Sequence, residues 1–539
     1  MKRRHFIKTG TLSALALPLV VAGCQSRLAS DPGATSPLPG ADNFPLNELS
    51  IDDLQDRMSR GELTARTLTE MYLKRIQELD RGGIRLNSVI EVNPDALSIA
   101  SQLDQEREDG KTRGILHGIP FLIKDNIDTS DKMMTTAGSL ALTGHFANAD
   151  SPLVKQLRGA GAVLLGKTNL SEWANFRSSR SSSGWSSRGG QTKNPYSLER
   201  NPCGSSSGSG VAVAANLCCF AIGTETNGSI SCPASINGIV GLKPTVGLVS
   251  RSGIIPISKS QDTAGPMARS VRDAAIVLAF INATDSNDQA TLNRPGGMSS
   301  DYVGPLNSEA LKGKRVGVEK SFLKGHERVD VLLKKALTQM ESKGATIVEV
   351  NFIEKLSSIK DNEYKVLQYE FKDGLNRYLA QADAGVKNLK DVIAYNKSHA
   401  ETVMPFFQQE ILEASEARGD LKEEDYLVAL KKVVETSRLA IDDTLEEFGL
   451  DVICGPATGP SWCTDLVNGD AFSGYGMGSG AAMAGYPSIT VPLGDVHGLP
   501  VGLLFMASAF GEQKLLALSY AYEQASRNRR SPVFREAFL

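Results

Sequence analysis

The stretch "CGSSSGSG", residues 203–210, has the composition of a flexible linker, and on composition alone it would cut the chain into two domains. Its flanks decide otherwise. From residue 201 to residue 224 there is no charged side chain, and the run "VAVAANLCCFAIG" follows without a break. A solvated linker does not lead straight into a core helix. The stretch therefore predicts a tight loop opening a buried helix of small residues, whose first backbone N–H groups have no intrahelical partners. A phosphate-binding loop shares that geometry, but the Gly-Lys-Ser/Thr ending it needs is missing.

Working outward, the surrounding segments alternate strand-like apolar runs ("IPFLI", "AVLLG", "GIVGLK") with glycine turns and helical stretches between about 114 and 270. This is the pattern of an α/β core. Upstream, "SIDD" is a capping box with Ser50 as N-cap and Asp53 three residues on, so ordered structure is expected to begin at residue 50. A second helix follows from about Thr64, with Leu68, Met71, Tyr72, Ile76 and Leu79 at amphipathic spacing. Between about 285 and 450 the chain is charge-rich and mainly helical, broken by "KRVGV" and "ATIVEV", and is expected to form a peripheral layer. "DVICGPA", "GYPSITVPLG" and "LPVGLLFMAS" return to the core character and are expected to complete the sheet. No internal repeat is present.

The composition, 41% hydrophobic and 22% charged over 539 residues, is that of a large globular protein and excludes a disordered chain or a membrane-embedded bundle. A formal net charge of −3 gives no basis for nucleic-acid binding. The first 23 residues have the layout of a secretory signal: Lys2, Arg3, Arg4 and Lys8 precede an apolar run too short to span a bilayer, which ends in "VAGC". The pattern resembles a bacterial lipoprotein signal of twin-arginine type, with cleavage before Cys24 and acylation of its thiol; a plain basic signal peptide is the alternative. Residues 24–49 then form a Ser/Pro/Gly/Ala-rich tether, and export leaves 54 basic against 61 acidic side chains, a formal charge of −7. On this reading the protein is held to the cell envelope, on the periplasmic side of a Gram-negative cell, where Gln25 after Cys24 favours the outer membrane.

The remaining cysteines, Cys203, Cys218, Cys219, Cys232, Cys454 and Cys463, match no zinc or redox spacing. Adjacent Cys218 and Cys219 fit buried small hydrophobes, and the spacing assigns no disulfide.

Two further clusters carry chemistry. "GTETNGSISCPAS", residues 223–235, offers Ser229 in a Gly-Ser turn whose consecutive N–H groups could face an oxyanion. A serine nucleophile needs a base, yet one of the six histidines lies in the signal segment and none in either Gly/Ser cluster. In "HGIPFLIKDNID", Lys124 ends an apolar run. A lysine entering a core there loses solvation, which lowers its pKa. Bringing it from about 10.4 to about 7–8 costs roughly 4 kcal/mol. Pairing with Asp125 or another carboxylate is the competing reading.

The three clusters in this order resemble the amidase signature family of serine hydrolases, which use a Ser-Ser-Lys triad, and "GTETNGSISCPAS" together with "SSGWSSRGGQTKNP", residues 182–195, is most similar to its peptide amidase branch. The family's Gly-Gly-Ser-Ser-Gly-Gly-Ser loop is matched by Cys203-Gly204-Ser205-Ser206-Ser207-Gly208-Ser209, and its Asp-Thr-Gly-Gly-Ser-Ile by Glu225-Thr226-Asn227-Gly228-Ser229-Ile230. The 24-residue separation of Ser205 and Ser229 is the family's own, and "GKTNLSEWANF", "DTAGPMARSV" and "AGYPSITVPLG" are further family segments. The resemblance covers residues 50–539. It implies one large α/β domain with a mixed central sheet covered by helices on both faces, and neither metal nor organic cofactor.

It also implies roles. Ser229 is the implied nucleophile, Ser205, on a cis peptide, the relay, and neutral Lys124 the base. The backbone N–H groups of Thr226, Asn227, Gly228 and Ser229 form the implied oxyanion hole, supported by Ser206 and Glu225. The implied substrate is a carboxylic amide, for the peptide amidase branch a C-terminal peptide amide, with water as second substrate and the membrane as a partner through Cys24. An aryl-acylamide or other small-amide hydrolase uses the same triad, and an inactive binding lipoprotein is an alternative of another class. An amidotransferase subunit serving aminoacyl-tRNA conflicts with export. Cys203 and Asn227 stand where the family has glycine, and Ser231 where it often has arginine.

Overall fold

The computed structural model describes residues 43–472 and 475–537. The expected signal segment 1–23, Cys24 and residues 25–42 of the tether lie outside the described residues.

The described chain contains thirteen strands: β1 (Val89–Val92), β2 (Pro120–Lys124), β3 (Val163–Thr168), β4 (Trp185–Ser186), β5 (Gly190–Gln191), β6 (Phe220–Glu225), β7 (Val240–Lys243), β8 (Thr263–Ala268), β9 (Arg315–Glu319), β10 (Thr346–Val350), β11 (Val452–Pro456), β12 (Ser488–Val496) and β13 (Leu499–Met506). Eleven of them form one sheet in the order β1-β3-β2-β6-β8-β7-β12-β13-β11-β9-β10, while β4 and β5 make a separate hairpin. The sheet is mixed, as expected: β2 runs parallel to β3 and β6, and β6 antiparallel to β8. Every residue of β2, β3, β6, β7, β8 and β11 is buried. Continuous burial without alternation is what helices on both faces impose.

Two local features place the site. The β2–β6 register pairs Phe121 with Phe220 and Ile123 with Ile222, and the two Phe rings stack at 5.2 Å. Lys124 and Thr224 therefore leave the sheet at the same end. The predicted helix of small residues is Ser207–Ala214, buried on all sides. Its entry needs glycine at 208: a Cβ there would lie 2.5 Å from the Asn169 carbonyl oxygen. Cys218 and Cys219 are fully buried free thiols before β6, as expected of small core residues, and burial pushes the Cys218 thiol up to about 12.

Two expectations are corrected. Ser50 does cap helix Ile51–Ser59 with the full capping box, but order begins earlier. Leu46 is fully buried, Phe44 packs on Tyr72, and Glu48 pairs with Arg529, so the tether ends by residue 43. The second correction concerns the 285–450 layer, which is not wholly peripheral. "KRVGV" and "ATIVEV" form β9 and β10, and β9 pairs with β11, extending the main sheet. The helical remainder includes helices Lys360–Gln381 and Glu424–Glu447. Phe371, Leu375 and Leu379 of the first share a second hydrophobic core with Trp173, Phe176, Ile255 and Ile257.

Candidate active site

Lys124 is fully buried, and its Nζ donates to Ser205 Oγ at 2.8 Å, Thr224 Oγ1 at 2.8 Å and Thr224 O at 3.2 Å. Among the described residues no carboxylate accepts from it. Asp125 is engaged elsewhere: its carboxyl takes the Thr136 hydroxyl and the Gly138 N–H, and pairs with Arg188 at 3.3 Å. Burial brings the Lys124 ammonium down to about 7, against the pull of Asp262 and then Glu225. The competing reading of a lysine satisfied by Asp125 is thus corrected, because that carboxylate belongs to Arg188.

Ser205 follows a cis peptide from Gly204 and is fully buried. The other serines of the loop are held by β6 and by the loop's own backbone. Ser206 Oγ donates to Thr224 O (3.0 Å) and accepts from Thr224 N (3.2 Å), Ser207 Oγ donates to Cys203 O (2.6 Å), and Ser209 Oγ donates to Ile222 O (3.1 Å). The loop is clamped to β6, with the Ser205 hydroxyl turned to the lysine. The Ser206 N–H donates to Ser229 O at 3.1 Å, which brings the Gly/Ser loop against the second cluster.

That cluster is a turn organised by Glu225. Its Oε1 accepts from Gly228 N at 3.0 Å, and its Oε2 from Ile230 N at 2.7 Å and Ser231 N at 2.9 Å. The Gly228 N–H, one of four expected to face an oxyanion, is therefore occupied by Glu225. Thr226 Oγ1 donates to half-buried Asp262 at 2.6 Å, whose pKa desolvation raises to about 6 against the bonds from Thr226, Ser258 and Ile257. Ser229 is 8% exposed, at the edge of the buried region. The left-handed conformation of the turn falls on Gly228 (φ +87°) and not on Asn227. Asn227 is tied outward: its Nδ2 donates to Glu363 Oε1 at 2.7 Å, and its Oδ1 accepts from Ser479 Oγ at 3.1 Å. Ser231, often arginine in the family, is buried, with its N–H on Glu225.

The structure thus brings Lys124, Ser205, Ser206, Glu225 and the 226–229 turn together at one end of β2 and β6. It adds residues that the sequence did not single out. Thr224 and Asn126 flank the lysine, with Asn126 Nδ2 donating to Thr224 Oγ1 at 3.1 Å. Asp262 holds Thr226, although the segment containing it was among those resembling the family. Asp470 takes the Ser183 and Asn201 donors and Trp462 Nε1, stitching three loops beside Gly204. The departure at Cys203 has its explanation in a disulfide to Cys232, with Cα atoms 6.1 Å apart. The thirty-residue span and seven cysteines carried no signal that could have chosen this pair.

A lysine 2.8 Å from a serine hydroxyl, driven towards neutrality by burial and bonded to no carboxylate among the described residues, is the equipment of a hydrolytic enzyme of the serine type. The comparisons with known proteins narrow this class. The family model described as Amidase matches residues 67–516, and the chain belongs to the amidase family. It is similar to a putative amidase of Schizosaccharomyces pombe, 40% identical over 93% of this chain and 89% of the relative. Among solved structures it is similar to the native peptide amidase from Stenotrophomonas maltophilia, with a TM-score of 0.87 and 51% identity over 91% of this chain and 99% of that one. It is also similar to the peptide amidase PAM in complex with the competitive inhibitor chymostatin, with a TM-score of 0.87 and 52% identity over 91% of this chain and 100% of that one. The chain is accordingly an amidase, a hydrolase of amide C–N bonds, on a single large α/β domain.

Proposed function

We propose that the protein deamidates the C-terminal amide of peptides through a Ser229 acyl-enzyme, outside the cytoplasm. The observation that carries the chemistry is the 2.8 Å approach of Lys124 Nζ to Ser205 Oγ in a buried site where the lysine is driven towards neutrality. Ser229 Oγ attacks the amide carbonyl carbon while its proton passes to Ser205 Oγ, and the Ser205 proton passes to Lys124 Nζ. The carbonyl oxygen takes the negative charge, met by the N–H groups of Thr226, Asn227 and Ser229, with Glu225 holding the turn. Lys124 then returns its proton through Ser205 to the nitrogen, the C–N bond breaks and ammonia leaves. Water, deprotonated by the same relay, attacks the ester carbon, and the acid departs as Ser229 recovers its proton. The return step matters most, because an amide nitrogen leaves only once protonated.

Similarity to peptide amidases at 51–52% identity over 91% of the chain supports the peptide amide as substrate. The signal-like N-terminus supports export, and the Cys203–Cys232 disulfide fits an oxidising compartment.

Ammonia release from a panel of amidated peptides and small amides, measured for wild type and Ser229→Ala, tests the reading. Loss of release in the variant is expected, with amidated peptides preferred. Release from aryl or other small amides alone would replace the peptide reading with the small-amide one. Labelled palmitate is expected to enter the wild type and not Cys24→Ala; equal labelling would remove the anchor.

A further inference from the structure

We propose that the Cys203–Cys232 disulfide is a positioning element of the amidase site, holding the relay serine's loop against the nucleophile's helix so that turnover requires the oxidised pair. The proposal rests on the roles of Ser205 and Ser229 given above. Cys203 lies two residues before Ser205, and Cys232 three residues after Ser229, so the bridge joins the two catalytic segments close to both hydroxyls.

Each half-cystine is tied by hydrogen bonds to the segment that carries its own serine. The Cys203 N–H donates to Asn201 Oδ1 at 2.7 Å, and its carbonyl accepts from Ser207 Oγ at 2.6 Å, so the bridge end of the loop moves with residues 201–207. The Cys232 N–H donates to Gly228 O at 2.8 Å, tying it to the turn that carries Ser229. Cys232 sits in the first turn of helix Ser231–Ile236, whose six residues and lack of a side-chain cap make it a weak element by itself. Across the two segments the bridge is joined by the hydrogen bonds Ser206 N to Ser229 O (3.1 Å) and Asn237 Nδ2 to Pro202 O (3.0 Å). Neither fixes a side chain of the triad. The half-cystines pack with Ile236 against Trp462 and are buried, 5% and 8% exposed, so the thiol count in the test reports whether a small dithiol has reduced them.

Reduction is a two-electron step. A dithiol gives two electrons and two protons, its own sulfurs close to a disulfide, and Cys203 and Cys232 become thiols. Proton relay through Ser205 depends on placement within a fraction of an ångström, whereas substrate binding does not. Reduction is therefore expected to lower kcat while leaving KM nearly unchanged.

The test uses the full chain with the best amide from the panel above. Wild type is assayed oxidised, after a dithiol reductant and after reoxidation, with thiols counted and the thermal transition recorded in each state. The expected result is two additional thiols, a kcat reduced roughly tenfold or more with KM within about twofold, a retained cooperative transition, and recovery on reoxidation. Cys203→Ser/Cys232→Ser is expected to show the same low kcat and no response to the dithiol. An unchanged kcat in the reduced protein, or loss of activity only together with the folded transition, would overturn the positioning role. Activity surviving in Ser229→Ala would instead overturn the triad on which the proposal rests.

Discussion

Lys124 and Lys243 are both fully buried, both at strand ends, and both depressed by burial, to about 7 and about 8. Their surroundings differ in one respect. Lys124 Nζ meets two hydroxyls, Ser205 and Thr224, besides the Thr224 carbonyl, whereas Lys243 Nζ donates only to carbonyls among the described residues, those of Tyr486 (2.6 Å) and Pro244 (3.4 Å). A carbonyl can only accept, so it favours the ammonium and offers no proton in exchange. A hydroxyl donates as well as accepts, so it can hand its proton to a neutral amine and pass on another. Burial alone therefore does not make a base; the partner's chemistry does.

The widest separation of the two lysines is expected from removing their nitrogens. Lys124→Met is expected to lower kcat/KM for amide hydrolysis by roughly 10⁴-fold, the upper range for a general acid–base group. Lys243→Met is expected to stay within about threefold per folded molecule, because its nitrogen reaches no part of the relay. Ammonia release corrected for the folded fraction measures both. Comparable losses in the two variants would break the distinction.

The pH dependence separates what the lysines share from what they do not. Each has a folded pKa below its unfolded value of about 10.4, so between the two values the unfolded chain binds more protons and stability rises with pH. That window runs from about 7 for Lys124 and from about 8 for Lys243 up to about 10.4, worth roughly 5 and 3 kcal/mol. Below the folded pKa the burden of the buried ammonium is complete. Lys124→Met lacks its share, so its melting-temperature advantage over wild type is expected to shrink as pH rises from 7 to 10. Activity follows Lys124 alone: kcat/KM is expected to climb with pH to half its plateau near 7, with the same midpoint in Lys243→Met. A midpoint displaced by Lys243→Met would show that the two sites are coupled.

The placement of Lys124 and of the Gly/Ser loop was legible because those signals are local, while the roles of Lys124, Ser205 and Ser229 came only from the family resemblance. An apolar run ending in lysine placed Lys124, and the absence of charge around residues 203–210 turned a linker composition into a helix entry. What escaped depends on long-range pairing. The five residues of β9 are short and flanked by charge, and only the partnership with β11 shows that they extend the sheet. Thr224 becomes a partner of Lys124 through the β2–β6 register, which no run of sequence specifies. The Cys203–Cys232 pairing depends on Cα placement across separate segments. Phe44 and Leu46 were hidden by the Pro- and Gly-rich residues before them, whose composition reads as tether until Tyr72 and the core are in place.

Asn227 sets the smallest expected effect, at the margin where the lysine site meets the helical layer. It stands where the family has glycine, but the turn does not require glycine there, since the left-handed residue is Gly228. Its side chain instead bridges the turn to Glu363 and Ser479. Glu363, whose pKa burial raises, keeps Gln261 Nε2 at 3.0 Å when Asn227 is removed, so it is not left without a donor. Asn227→Gly is therefore expected to cost about 1 kcal/mol of stability, the scale of one hydrogen bond plus added backbone freedom. The Lys124–Ser205 pair does not touch this bridge, so kcat is expected to remain within about twofold and the pH midpoint to stay near 7. KM is expected to rise about two- to fivefold, because the bridge holds helix Lys360–Gln381 beside the turn where substrate must lie. A shifted pH midpoint in this variant would mean that the helical layer takes part in setting the lysine, and that the boundary between hydroxyl relay and carbonyl clamp extends beyond the strands.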